Sequence, residues 1–543
     1  MAISEFSGGP LRKQIGFSRL VPDQARDILL KRGYDCYLLD DEAIARPGQI
    51  QTTDSIVLTQ VQTEPYQVRE DLERFGPLLD HDCRIYVRYA ADGGSKEIVL
   101  RALNALKLPP SGITTSDVKF FSDEWFEGPN APVFAPFVHV LTANDDWDSL
   151  ANLIAGNPAG RAANVNLRID MRDAKHQQLR PSTEHDLILR RAFWNCSSIE
   201  MTEKGNGLSD VQAFETYAHL ANSVVGSRWP YRYFVKLGDR LKVAREFDKY
   251  RTTALENVPY HLGPRLRLDR CVLGRSEGLI VSDYVNGAEP LRDCVRDGRG
   301  IPAISNLFNL TLLAWRRAAT EEERPLQQLL SELLGRDIPE HRAPLIMAYG
   351  AKRSMRELKA LFQRARSPQR ILTGVVHGDL HATNVLVRMN DAVIIDLERI
   401  DTDKPLLWDA ASLEGGLFVD GFINDRRTAM EVLLSVESLY TLAAFDIDDH
   451  HCLPANASAW FLDCVRQIRM QARQMERGPL QYAWILAAVL LNKACNSKDF
   501  REMGESGVPD ATPLSREAVR ALAYVLGERL LVELANNDQP VAP

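Results

Sequence analysis

Between positions 375 and 398 five polar side chains fall at loop spacing: His377, Asp379 and Asn384, then Asp396 and Glu398. The apolar runs around them (VV before His377, VLV after Asn384, AVII before Asp396) read as short strands, so the polar side chains fall at strand ends. One carboxylate to meet an incoming hydroxyl, with an amide and a second carboxylate to hold Mg²⁺, is what a phosphoryl-transfer site needs.

Further polar groups with matching chemistry lie upstream. Residues 231–238 (YRYFVKLG) read as a strand carrying Lys236 on its inner face, and Glu246 follows ten positions later in a helical stretch, 240–255. A strand lysine held by a helix glutamate supplies a fixed cation for the phosphates of a nucleotide. The plainer alternative is a surface ion pair, worth little. Gly205 and Gly207, with Ser209 close by, would let backbone amides close over phosphates; alone, the same Gly-Asn-Gly is also a hairpin turn. Residues 281–287 (VSDYVNG) end a strand between these two groups; they fall where a kinase-like fold, which this order of elements resembles, has its hinge, and that resemblance implies that backbone atoms around Ser282, Asp283 and Tyr284 meet an adenine edge.

The elements that must position these groups follow from periodicity. Residues 186–287 read as a strand-rich lobe and residues 288–535 as a helical one, with helices over 303–321, 325–334 and 344–364 before the loop and over 426–444, 457–473, 479–495 and 515–535 after it. Asp409, in the run LWDAASLE, is placed to cap a helix that starts there. The cluster DIDDHH at 446–451 holds metal-capable side chains without a partner pattern.

In front lies a different pattern. Across 13–170, short apolar strands (34–40, 55–61, 84–89, 133–141, 164–169) alternate with helices (22–32, 66–79, 95–106, 145–155). That alternation implies a mostly parallel sheet covered on both faces, a flavodoxin- or receiver-like three-layer α/β domain. As a receiver it would need an acceptor carboxylate at a strand end. Asp40 and Asp41 supply an acidic pair, but the next strand ends TQVQ. The turn DGGSK at 92–96 opens a helix and would offer amides to an anion, a tight turn being the simpler reading. No G-x-G-x-x-G fingerprint occurs. Sensing, docking of a protein partner or regulation is the expected role. The aperiodic, polar residues 171–185 read as a linker, and residues 1–12 and 536–543 as disordered ends.

The string HGDLHATN followed by IIDLE resembles the aminoglycoside phosphotransferase and choline kinase branch of the protein-kinase-like fold. The GLS turn, the VKLGDR strand and the close-following Glu246 are also similar to the kinase-like "ternary complex associated" domains of bacterial conflict systems. The resemblance spans about 186–535. It implies that Asp379 accepts or orients the substrate hydroxyl, that Asn384 and Asp396 bind Mg²⁺, and that Lys236, oriented by Glu246, meets the α/β-phosphates of ATP. It further implies that Gly205–Ser209 cover the phosphates, that His377 shapes the loop from beneath, that Glu398 supports the metal strand and that Asp409 buttresses the loop. The chain lacks the H-R-D arginine, the Asp-Phe-Gly and the Ala-Pro-Glu of protein kinases, and has His381 where Ser/Thr kinases carry a lysine. Two functions follow from the resemblance: an Mg-dependent ATP phosphotransferase acting on a hydroxyl of a small molecule, nucleotide or protein, or an ATP-binding regulatory module whose α/β domain docks a partner.

Composition bounds the alternatives. With 45% hydrophobic and 25% charged residues over 543 positions, two or more globular domains are expected. A net charge of −8 and no basic-aromatic stripe argue against a nucleic-acid partner. No apolar run approaches the ~18 residues of a membrane span, and no signal-peptide core opens the chain. Eight scattered cysteines form no C-x-x-C pair, so a reducing, cytoplasmic setting is the expectation.

Overall fold

In the computed structural model the structure describes residues 14–18, 21–39, 53–59, 70, 84–89, 95–105, 110–111, 138–142, 145–156, 163–204, 211–221, 229–274, 277–330, 334–363, 368–445, 458–496 and 513–537. The chain forms two compact units, Met1–Asp248 with Arg265–Tyr284, and Lys249–Pro264 with Val285–Pro543.

The first unit begins with β1 (Gln14–Phe17), α1 (Asp23–Lys31), β2 (Asp35–Leu38), β3 (Thr53–Thr59), β4 (Arg84–Tyr89), α2 (Ser95–Ala105), β5 (Pro110–Ser111), β6 (Val138–Thr142) and α3 (Trp147–Gly156). Its strands stand in the order β2-β1-β3-β4-β6-β5, and every pairing is parallel. Alternate residues feed two cores. Ile56, Leu58, Ile85 and Val87 pack on Val99 and Leu103 of α2. Ile15, Phe17, Val57 and Tyr86 pack on α1 and α3 through Ala25, Leu29, Leu150 and Ile154. Helices on both faces are what a parallel sheet requires. The pair Asp40 and Asp41, the strand end 60–62, the helix expected over 66–79 (Glu70 apart) and the turn 92–94 lie outside the described residues.

The strand expected at 164–169 belongs to a second sheet. It is β7 (Arg168–Arg172), followed by β8 (Gln178–Leu179), α4 (Thr183–Ala192), β9 (Cys196–Glu203), β10 (Gln212–Leu220), β11 (Tyr231–Asp239), α5 (Arg240–Lys249), β12 (Val272–Leu273) and β13 (Glu277–Asp283). The order is β12-β13-β11-β10-β9-β7-β8. The sequence RIDMR alternates polar and apolar residues, which suits a half-exposed strand rather than one buried on both faces. Residues 171–185, expected as a linker, contain the end of β7, β8 and the start of α4. Ser182 caps α4 by accepting the His185 amide at 3.1 Å. Tyr233, Val235 and Leu237 of β11 face the core with Leu279 and Val281 of β13. Period 2 then puts Lys236 on the other face, where Ile280 packs on Val243 and Ala244 of α5.

The second unit comprises β14 (Glu289–Pro290), α6 (Leu291–Arg296), α7 (Gly300–Asn306), α8 (Leu313–Arg317), β15 (Thr320–Pro325), α9 (Leu326–Leu330), α10 (Ala343–Ala348), α11 (Met355–Phe362), β16 (Pro368–Val376), β17 (Val385–Arg388), β18 (Asp391–Ile394), β19 (Asp401–Pro405), α12 (Leu407–Phe422), α13 (Ala429–Val436), α14 (Ala459–Arg473), α15 (Gln481–Cys495) and α16 (Arg516–Asn537). The helix expected over 303–321 is interrupted by a π turn at Leu307–Thr311 and gives way to β15. The one expected over 344–364 is two helices, the second opened by a Ser354–Glu357 capping box. The cluster 446–451 lies outside the described residues. Two three-stranded sheets, β14-β17-β18 and β15-β16-β19, frame the loop with the chemistry. Strand β16 runs into His377, β17 starts just after Asn384, Asp396 follows β18, and β19 returns to pair with β16. Among the described residues no helix is long and apolar enough to cross a membrane.

Candidate functional site

The loop joining β16 to β17 is held from inside the protein. The Asp409 carboxylate accepts the backbone N–H of His377 at 2.8 Å and that of Gly378 at 3.1 Å. Asp409 lies in the first turn of α12 but no side chain caps that helix; of the two roles open to it, it performs the buttressing one. Trp408 Nε1 donates to the Gly378 carbonyl at 3.3 Å. The imidazole of His377 is fully buried and its Nε2 lies 2.9 Å from the carbonyl of Ile395, tying the loop to the residue that follows β18. Gly378 takes φ +78°, and a Cβ there would run into the Arg399 carbonyl. Only glycine meets both demands.

These ties present Asp379 outward. Lys493 Nζ lies 3.6 Å from its Oδ1 and Arg399 Nε 3.7 Å from its Oδ2. Burial favours its neutral form, but Lys493, then His381, Arg399 and His377 outweigh that and hold the carboxyl at about 2. The group is therefore ionised at any physiological pH. Asn384 is buried and donates its Nδ2 to the Asp379 carbonyl at 3.0 Å, which fixes the orientation of its amide. Asp396 sits half-buried in the left-handed region, φ +63°, which Asp tolerates better than most residues. Glu398 is half-buried in the short turn after it. His381 receives or gives a hydrogen bond to Thr383 Oγ at 2.7 Å, and burial, then Lys493, lowers its pKa.

In the first unit, Lys236 Nζ donates to both carboxylate oxygens of Glu246, at 2.8 and 3.0 Å, with both side chains mostly shielded. Ser282 Oγ donates to the Phe234 carbonyl at 3.4 Å. The Asp283 amide is given to Arg265 and the Tyr284 amide to Arg232, at 2.9 and 3.3 Å. The Asp283 carboxylate accepts Arg267 Nε at 2.6 Å, and the Arg232 guanidinium stacks 3.8 Å over the Tyr284 ring. Gly205, Gly207 and Ser209 lie outside the described residues.

Sequence reasoning missed Lys493, Arg399 and Trp408. With Arg336 and Asn492 they line a pocket of about 250 Å³ at Asp379. A signal existed for Lys493, the one charged residue in the otherwise uncharged, largely apolar α15. Among the described residues no three His, Cys, Asp or Glu side chains gather as a metal cluster would need.

Asp409 gives a pH signature. Burial pushes its carboxyl up to about 6, against the pull of His377 and its two amide hydrogen bonds. The fold thus prefers the neutral form, and this stabilising preference is full below the ordinary value of 3.8 and lost as pH rises through about 6. Asn does not titrate and lacks one acceptor. Wild type should therefore exceed Asp409→Asn in unfolding free energy at pH 4, and the gap should shrink by up to roughly 3 kcal/mol by pH 7. Urea unfolding across that range measures it, and a gap independent of pH would refute the assignment.

A buried carboxylate thus holds a glycine-bearing loop that carries an outward carboxylate and an amide, with a strand-end Asp following β18. Residues 225–417 match the model of the phosphotransferase enzyme family, and residues 347–495 match that of ternary complex associated domain 9. The matches fall on the residues that carry the resemblance to the aminoglycoside phosphotransferase branch, and that resemblance holds. Among solved structures, a thermostable mutant of aminoglycoside phosphotransferase APH(4)-Ia is 11% identical, with 62% of this chain and 94% of that one covered and a TM-score of 0.33. Amicoumacin kinase hAmiN in complex with AMP-PNP, Ca²⁺ and Ami is 11% identical, covering 62% and 88% at 0.32. Glucosamine kinase in complex with glucosamine, ADP and inorganic phosphate is 12% identical, covering 68% and 91% at 0.32. No curated protein matches.

Proposed function

We propose that the chain is an ATP-dependent phosphotransferase that moves the γ-phosphoryl group to a hydroxyl of a small molecule, nucleotide or protein. What supports this most is Asp379: an outward carboxylate kept ionised by Lys493 and backed by a loop that Asp409 fixes. Asp379 would accept the acceptor's O–H hydrogen bond. As the new P–O bond forms and the bond to the β-phosphate oxygen breaks, ADP leaves and the hydroxyl proton passes to the carboxylate and on to solvent. Asn384 Oδ1 and the Asp396 carboxylate suit a small hard cation, since Mg²⁺ needs few protein oxygens when phosphates and water complete its shell. When bound, Mg²⁺ would offset negative charge on the phosphates. Lys236, aimed by Glu246, would meet the α/β-phosphates, Gly205, Gly207 and Ser209 would cover them, and Glu398 would steady the metal strand. Ser282, Asp283 and Tyr284 would border the base. The Asp283 and Tyr284 amides are already given to Arg265 and Arg232, so other backbone groups of this stretch would serve the adenine edge.

The all-parallel sheet in front, in the order β2-β1-β3-β4-β6-β5, we read as a sensing or docking domain; of the expected span 13–170, its end from Arg168 belongs to the second sheet. We read 186–287 and 288–535 as the two lobes. Millimolar ATP with Mg²⁺ should raise the melting temperature of the full chain by several degrees. Asp396→Ala and Lys236→Met should each abolish the shift. No shift in wild type would remove any nucleotide role. A shift without transfer to any acceptor would make the chain an ATP-binding regulatory module instead.

A further inference from the structure

The pocket at Asp379 carries more positive charge than its own residues use. Three cations line it, Lys493, Arg399 and Arg336, against one lining carboxylate, Asp379. Lys493 and Arg399 have Asp379 as their ion-pair partner, yet at 3.6 and 3.7 Å neither is close enough for a hydrogen bond. Arg336 makes no ion pair with a described residue, and its side chain is exposed at the mouth. The cations therefore sit beside the carboxylate with donors to spare. Lys493 is largely shielded, 21% exposed, at the end of a helix whose other residues carry no charge. A solvated surface lysine needs no such placement. Guanidinium groups hold phosphate and carboxylate oxygens in pairs, and an ammonium holds them as a point charge.

We infer that the acceptor is a small molecule with an anionic group, a phosphate or a carboxylate, within a few ångströms of the hydroxyl that meets Asp379. This rests on the phosphotransferase reading of the site. The anion lies against Lys493 and Arg399, with Arg336 closing over it. Asn492 and Ser412 offer neutral polar contacts to the rest, and Trp408 gives a flat wall. About 250 Å³ falls below the roughly 300–1,000 Å³ of pockets for drug-sized ligands, so the buried part is of metabolite size. A polycationic acceptor meets three like charges there and is disfavoured.

The test separates binding from turnover. Full-length protein without nucleotide is titrated with glucose 6-phosphate, ribose 5-phosphate, glycerol 3-phosphate and glycerate, and with glucose, ribose, glycerol and glucosamine, by calorimetry. At least one anionic member should bind ten-fold or more tighter than its uncharged parent. Lys493→Gln and the exposed Arg399→Gln should each erase most of that margin, with melting temperature confirming that both fold. With ATP and Mg²⁺ added, the same anionic members should raise ADP release above the basal rate, and the two variants should raise KM more than they lower kcat. Equal binding of charged and uncharged partners overturns the inference, and a protein that still turns over ATP then keeps the phosphotransferase reading. Inorganic phosphate binding as tightly as the best sugar phosphate also overturns it, since the pocket would then hold a bare anion. Selective binding without any ATP turnover upholds the anionic pocket and removes the phosphotransferase reading.

Discussion

Asp379→Asn should lower phosphoryl turnover by about 10²–10⁴-fold, the usual effect of removing a positioned acid–base group, and leave nucleotide affinity within about two-fold. The asparagine keeps an oxygen for the acceptor's hydrogen bond but has no charge to receive its proton. It also takes away the negative charge that Lys493 and Arg399 face at 3.6 and 3.7 Å. A group held at about 2 is a weak base toward a resting alcohol. That suits a loose transition state, in which the hydroxyl acidifies late, as its oxygen meets the phosphorus. Asp379 should then add no acid limb to the rate above about pH 3. Asp409, raised to about 6, should add a limb there, since its protonation weakens the hydrogen bonds that hold His377 and Gly378; Asp409→Asn should remove it. Single-turnover rates from pH 5 to 9 check both points. A variant within ten-fold of wild type would show that Asp379 is not the group that meets the hydroxyl.

The loop itself was legible because strand, turn and chemistry coincide in a few residues: His377, Asp379, Asn384 and Asp396 carry their meaning in local spacing. Lys236 and Glu246 were legible for the same reason, a strand face followed at once by a helix. The cations of the pocket were not. Lys493 comes from a helix more than a hundred positions after Asp379, and only packing of α15 against α12 brings it near. Helix ends failed where tertiary demands override periodicity. The apolar spacing after 303 continues through a π turn and stops at β15, because β16 takes residues 320–325 as its partner. Strand β7 was assigned to the wrong sheet because alternation reports a half-exposed strand but not which sheet it joins. Asp409 shows the limit most plainly: its helix-start position suggested a cap and the family resemblance a buttress, and only its burial and its two loop amides decide between them.

Arg469→Met should cost about 3–5 kcal/mol of stability, because it leaves a carboxylate buried without its partner. Arg469 and Glu414 are 1% and 0% exposed, and the guanidinium meets both carboxylate oxygens, at 3.2 and 2.8 Å. The same Arg469 donates to the Leu439 carbonyl at 2.8 Å and lies 4.1 Å over the Phe445 ring. Tyr482 completes the network by donating to Glu414 at 2.8 Å. Three helices, α12, α14 and α15, are thus joined by one buried charge pair. Helix α12 also carries Asp409 and α15 carries Lys493, so the pair fixes the base of the site from behind. The single variant should therefore do more than lower the unfolding midpoint. It should speed hydrogen exchange at the His377 and Gly378 amides, which Asp409 holds. The double variant Arg469→Met with Glu414→Leu should recover most of the stability, since well-packed apolar residues often replace a buried ion pair without loss. If the single variant unfolds within about 1 kcal/mol of wild type, with exchange at those two amides unchanged, the pair has no part in holding the loop.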